Sequence, residues 1–100
     1  MTKPHPARRA EPRVSMRMFV KLSVRGSESF ELTPTVNVSC HGACVETKKC
    51  WELGEQVWVR SIRGNLFSFA RVAYCEPQPN GTFAMGLDLQ FPTGDWTRTS

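Results

Sequence analysis

The sequence predicts an all-β fold, a small six-stranded antiparallel β-barrel preceded by a flexible basic arm. Three observations carry the prediction. Apolar residues recur with period two in several short runs, the pattern of half-buried strands. Turn residues separate the runs, and Asn80-Gly81 is the strongest short hairpin signal. Each run has one apolar face, and closing into a barrel buries all of those faces while reducing exposed edges. A chain of 100 residues, 40% hydrophobic with 10% aromatics, suits one core and leaves no room for a second.

Residues 1–13 form the arm. Pro4, Pro6 and Pro12 remove backbone donors and disfavour helix. The segment buries too little apolar surface to offset its ordering entropy, so it is expected to be mobile without a partner. The barrel is expected over residues 14–92 and a polar C-terminal tail over 93–100.

In the first strand Met16, Met18, Val20, Leu22 and Val24 point inward, and Arg17, Phe19, Lys21, Ser23 and Arg25 outward. Gly26-Ser27 breaks it. The second strand places Phe30, Leu32, Val36 and Val38 inward, with Glu31, Thr33, Thr35, Asn37 and Ser39 outward. Pro34 puts an edge or a bulge in that strand. Cys40-His41-Gly42 reads as a tight turn, Ala43–Thr47 as the third strand and residues 48–56 as a connection. Val57–Ile62 is the fourth strand, and Arg63-Gly64-Asn65 turns the chain into the fifth, Leu66–Cys75. The fifth has unclear alternation, which calls for a bulge or burial on both faces. After the Asn80-Gly81 hairpin, Phe83, Met85, Leu87, Leu89 and Phe91 face inward in the sixth strand. Pro92 and Gly94 end it. Phe19 and Phe67 are the aromatics expected on outer faces, while Trp51 and Trp58 are left open.

Charge is concentrated at one end. Residues 1–13 hold four basic groups (Lys3, Arg8, Arg9, Arg13) against Glu11, a net +3 in a chain of +4. Arginine suits phosphate oxygens and the O6/N7 edge of guanine, and it stacks on base faces. A second constellation is Asn37-Val38-Ser39-Cys40-His41-Gly42. With Val38 inward, Asn37 and Ser39 share the outer face. They offer an amide donor and acceptor and a hydroxyl. Gly42 can take positive φ and lets a ligand approach the backbone. Each feature alone is weak: a solvated tail, and a polar strand exit with a turn glycine.

Together, R-x-x-x-R (Arg9, Arg13) before the first strand and N-x-S-x-x-G (Asn37, Ser39, Gly42) at the exit of the second resemble the PilZ domain. Gly54 and the closing Met85-Gly86-Leu87-Asp88-Leu89 segment extend the resemblance over almost the whole folded region. The resemblance implies a six-stranded barrel that binds the bacterial second messenger cyclic di-GMP. It implies that Arg9 and Arg13 grip guanines and phosphates, that Asn37 and Ser39 hydrogen-bond guanine, and that Gly42 permits the turn. Arg8 is a secondary candidate, because an extra arginine there goes with a stacked pair of ligands in that family. His41 is another, in a variable position, against a plain exposed turn histidine. A downstream protein partner of unknown identity is expected. Relatives often carry a C-terminal helix; the polar tail here leaves little for one, which weakens any partner surface built on it.

Other function classes fare worse. Asp88 and Glu46 read as isolated carboxylates, and His41 lies across a turn from Ser39 with no third group to orient it, so an enzyme is not expected. The main alternative is a barrel that binds single-stranded nucleic acid through the basic arm. The near-neutral body argues against the continuous basic groove this needs. A ligand-free interaction module would not need the arginines. The cysteines Cys40, Cys44, Cys50 and Cys75 lack C-x-x-C spacing and read as buried free thiols, without a metal or cofactor. No apolar run approaches the roughly 20 residues that span a bilayer. No apolar stretch follows the early basic residues either, so neither membrane insertion nor a secretory signal is expected. A cytoplasmic location is the expectation.

Overall fold

The structure is a computed structural model and describes residues 13–24, 26, 28–94 and 96. Arg8, Arg9 and the rest of the arm before Arg13 lie outside the described residues. Among the described residues seven strands follow in order: β1 (Val14–Ser15), β2 (Phe19–Val24), β3 (Phe30–Ser39), β4 (Gly42–Thr47), β5 (Gln56–Ser61), β6 (Phe67–Pro77) and β7 (Phe83–Thr93). All pairings are antiparallel. The order β3-β2-β5-β6-β7-β4 closes through β3–β4, giving the expected six-stranded barrel with β1 as an extra strand beside β3.

The extra strand arises because the expected first strand is broken. Ser15 pairs with Asn37 and Phe19 with Pro34, so four steps on one side face three on the other. Such a mismatch is a bulge. Thr35 stitches it. Its hydroxyl donates to the Met16 carbonyl at 2.6 Å and accepts from the Met18 amide at 3.0 Å.

The first half of β3 is turned over relative to the sequence expectation. Thr33 and Thr35 are buried, whereas Phe30, Leu32 and Val36 are exposed. Partners directly opposite share a face, and Val20, the inward residue of β2, stands opposite Thr33. Pairing parity therefore overrode hydrophobicity. The buried hydroxyls are satisfied, Thr33 by the Glu46 carbonyl and Thr35 by Met16. A register shift between Thr35 and Asn37 then restores the expected parity, and Val38 enters the core.

Inside lie Val20, Leu22, Val45, Val57, Val59 and Met85, each with no exposed surface. Tryptophans close both ends of this core. Trp51 donates to Glu31 at the start of β3, and Trp96 donates to the Ser39 carbonyl at its end, at 2.9 Å. The sequence reading had placed neither there. The β6–β7 pairing carries two register shifts, at Phe67/Phe69 and Val72/Tyr74; the second puts the extra residue in β6 and explains its unclear alternation. The first of these also removes Phe91 from the core. Between Gln90 and Thr93 the chain bulges, Phe91 takes φ 56°, and its side chain is 92% exposed rather than inward. Cys44 is buried and Cys75 half-buried. Cys40 and Cys50 are exposed, contrary to expectation, because they sit in the turn after β3 and the β4–β5 connection, where there is no inner face.

Candidate functional site

The outer faces of β3, β4, β7 and β6 form a small platform. Its rows follow from register. Asn37 stands opposite Cys44, Cys44 opposite Gly86, and Gly86 opposite Tyr74. In the next row Ser39 faces Gly42, Gly42 faces Asp88, and Asp88 faces Arg71.

β1 delivers an arginine to this platform. Val14 pairs with Val38, so the residue before it, Arg13, arrives beside the Asn37–Ser39 end of β3. The Arg13 Nη1 donates to Asn37 Oδ1 at 2.8 Å. Its Nη2 lies 3.3 Å from the position a Cβ on Gly42 would take, and Ser39 Oγ lies 3.4 Å from the same point. Arg13, Asn37, Ser39 and Gly42 are thus brought together. Gly42 does not take positive φ; its missing Cβ leaves space close to Arg13 and Ser39. Ser39 is on the outer face but buried rather than open. Cys40 and His41 form the exposed two-residue turn, and the His41 carbonyl accepts the Leu89 amide at 2.9 Å.

Five residues of the platform, Cys44, Tyr74, Gly86, Asp88 and Arg71, were not expected from sequence as ligand-site residues. Tyr74 lies flat over Gly86: a Cβ there would fall 2.2 Å from the ring. Burial, with a hydrogen bond involving Cys44, pushes the Tyr74 hydroxyl up to about 12, while the positive charge of Arg13 works the other way. The phenol is therefore neutral at physiological pH and can donate. Arg71 and Asp88 add a cation and a carboxylate to the second row. A glycine inside an alternating strand signals close approach of another group, so Gly86 was the available clue to Tyr74. Asp88 and Arg71 carried no such signal, because only register makes them neighbours.

Glu46, read from sequence as isolated, has partners. It accepts from Thr82 Oγ1 at 2.9 Å and Asn80 Nδ2 at 3.1 Å, which hold the Asn80-Gly81 hairpin against β4 and keep its carboxyl below the usual range. Among the described residues no group of three or more His, Cys, Asp or Glu side chains could hold a metal ion.

The platform is a hydrogen-bonding surface with guanidinium and aromatic components, suited to a planar base carrying phosphate. Comparison with known proteins places the chain in a family and a fold. A family model described as the PilZ domain matches residues 7–96. A solved structure of the Bacillus subtilis inhibitor of motility (MotI/DgrA) superposes with a TM-score of 0.74 at 16% identity, over 93% of this chain and 45% of that chain. At that identity the likeness concerns the fold, and the chain spans less than half the length of that protein. No curated protein sequence matches the chain.

Proposed function

This chain belongs to the PilZ domain family, a family of cyclic di-GMP receptors and adaptors, and on that premise we propose that it binds cyclic di-GMP and acts as a non-enzymatic adaptor in second-messenger signalling. The observation that carries the reading is the Arg13–Asn37 contact at 2.8 Å, which holds an arm arginine on the polar platform. Asn37 and Ser39 hydrogen-bond a guanine edge, Gly42 leaves room for it, and Arg13 meets a phosphate or stacks on the base. Arg9 closes from the arm, with Arg8 available to a second ligand molecule and His41 at the rim of the turn. No cofactor is required. A cytoplasmic location fits this role. Among the described residues no helix is long and apolar enough to cross a membrane.

The magnitudes are adequate. A hydrogen bond to a charged group contributes roughly 1.5–3 kcal/mol. Micromolar affinity needs about 8 kcal/mol, after offsetting roughly 2–5 kcal/mol for ordering a segment. Four such bonds, about 6–12 kcal/mol together, with about 1–3 kcal/mol for each stacked base, reach that range. Closure of the arm then changes the surface offered to a downstream protein.

Calorimetric titration with cyclic di-GMP tests the reading. Wild type is expected to bind, and Arg13→Ala and Asn37→Ala each to lose about ten- to a hundredfold, the equivalent of one charge-assisted bond. Affinity no better than about 100 μM for wild type defeats the proposal. Wild-type binding by Arg13→Ala removes the arm from the site. The molar ratio decides whether one or two ligand molecules bind. Salt-dependent binding to single-stranded nucleic acid, unaffected by cyclic di-GMP, would instead favour the alternative barrel.

A further inference from the structure

We propose that the outer wall of β2, β5 and β6 is a docking surface for a protein partner that presents acidic side chains around an apolar centre. The wall and the ligand platform meet along β6, where Arg71 borders both, but their centres lie on opposite sides of the barrel. In the closed strand order β5 and β4 lie three strands apart in either direction, on opposite sides of the barrel.

The wall inverts the usual composition of a solvated face. Val20, Leu22, Val57 and Val59 take the inward positions, so their neighbours must point out. Those neighbours include Phe19, Lys21, Trp58 and Arg60, and β6 adds Phe67 and Phe69 beside them. Register aligns Lys21, Arg60 and Phe67 in one row and Ser23, Trp58 and Phe69 in the next. Trp58 stacks on Phe67 with ring centroids 5.3 Å apart and planes 8° from parallel, and meets Phe69 at 4.7 Å. Lys21, Ser23, Trp58, Arg60 and Phe67 line a concavity of about 420 Å³.

The charge on this wall has one sign. Lys21 Nζ sits 4.5 Å from the Phe30 ring centre, and the Arg60 guanidinium 5.2 Å from that of Phe67. The outward positions of β2, of β5 and of residues 67–71 hold no carboxylate among the described residues. At the border Phe91 projects from the bulge opposite Phe67–Phe69, 92% exposed and on a left-handed backbone that phenylalanine rarely adopts. An exposed aromatic held out by unfavourable backbone geometry suits a knob for a partner's pocket. Trp, Phe and Arg at a concave centre are also the residue types that dominate protein interfaces.

The same observations disfavour other occupants. A single strand of nucleic acid needs a continuous basic track and free ring faces; here Trp58 stacks on Phe67 and meets Phe69, and Lys21 and Arg60 each cover a ring. A second copy docking by two-fold symmetry would set like charges against each other. Acidic groups on the partner would complement Lys21 and Arg60 while its apolar centre fills the groove.

A random linear-peptide library displayed and selected on the full chain tests this. Recovered peptides are expected to combine Asp or Glu with aromatic or aliphatic residues and to bind more weakly at high salt. Trp58→Ala and Arg60→Glu should each weaken them at least about tenfold, or ~1.4 kcal/mol. Arg13→Ala should leave them unchanged, separating this surface from the ligand site. Peptides with Lys in place of their acidic residues should regain binding to Arg60→Glu, which excludes a misfolded variant. The proposal is overturned by no enrichment, by peptides that bind Trp58→Ala and Arg60→Glu like wild type, or by recovered sequences without acidic residues. It is equally overturned if those substitutions abolish binding of oligo(dT) or a concentration-dependent dimer of the chain.

Discussion

On the platform, where the end of β3 meets β4 and the middle of β7, the outward positions are small or hydrogen-bonding, and on the β2–β5–β6 wall they are rich in aromatic and cationic residues. The platform gains its shape from missing side chains: Gly42 makes room for the Arg13 guanidinium and Gly86 for the Tyr74 ring. The wall gains its shape from large rings stacked on each other. One surface is shaped by hydrogen-bond direction and the other by area. Substitutions should therefore act differently on the two sides.

The largest effect is expected at Gly86. Alanine would place a methyl 2.2 Å from the Tyr74 ring, so the ring must swing out. Overpacking of this kind costs about 1–3 kcal/mol, and the close approach puts Gly86→Ala toward the upper end. Chemical denaturation measures it. An unchanged midpoint would mean that Tyr74 does not depend on the gap.

Thr35→Val should follow at about 1–2 kcal/mol, because the Met16 carbonyl and Met18 amide both lose their side-chain partner. It also loosens the bulge that carries β1, so cyclic di-GMP affinity should fall with stability. Peptide binding at the Trp58 wall should not. Equal loss at both surfaces would show that the barrel responds as a unit and erase the distinction.

On the wall side the sign reverses. Phe91 buries almost nothing and occupies a left-handed conformation. Phe91→Gly should leave stability unchanged or raise it by up to about 1 kcal/mol, as relieved strain outweighs the entropy of glycine. A loss above that size in a thermal melt would mean that the ring packs against the barrel.

The finest distinction is spectroscopic. Tyr74 is the sole tyrosine of the chain, so ultraviolet titration reads it directly. Its phenolate should appear near 12, above the ordinary value of about 10. A raised folded value favours the native state below the unfolded value, and that contribution disappears as pH rises through the folded value. Arg13→Ala should move the titration higher still, because the guanidinium opposes the shift. Trp58→Ala should not move it. A midpoint near 10 in wild type would mean the ring is solvated rather than laid over Gly86.

Much of the fold was legible because its signals are local. Alternation in Val20–Val24 and Met85–Leu89, and the Asn80-Gly81 turn, depend on neighbours in sequence and survived into the structure. The Asn37–Gly42 motif was legible for the same reason: its spacing alone sets which residues leave β3 together. What failed was parity. Phe30, Leu32 and Val36 have the right period for an inward face, yet they point out because β2 pairing places Thr33 opposite Val20 and the bulge at Thr35–Asn37 comes later. The exposure of Phe91 has the same origin, a bulge one strand away from its cause. The sequence by itself determined the strands, the turns and the polar motif, since these follow from side-chain period and backbone preference. Only the tertiary structure decided which face the first half of β3 presents, that Tyr74, Gly86, Asp88 and Arg71 join the platform, and that Trp96 closes the core. Register between strands is set by contacts far apart in the chain, and a shift of one residue exchanges inside for outside.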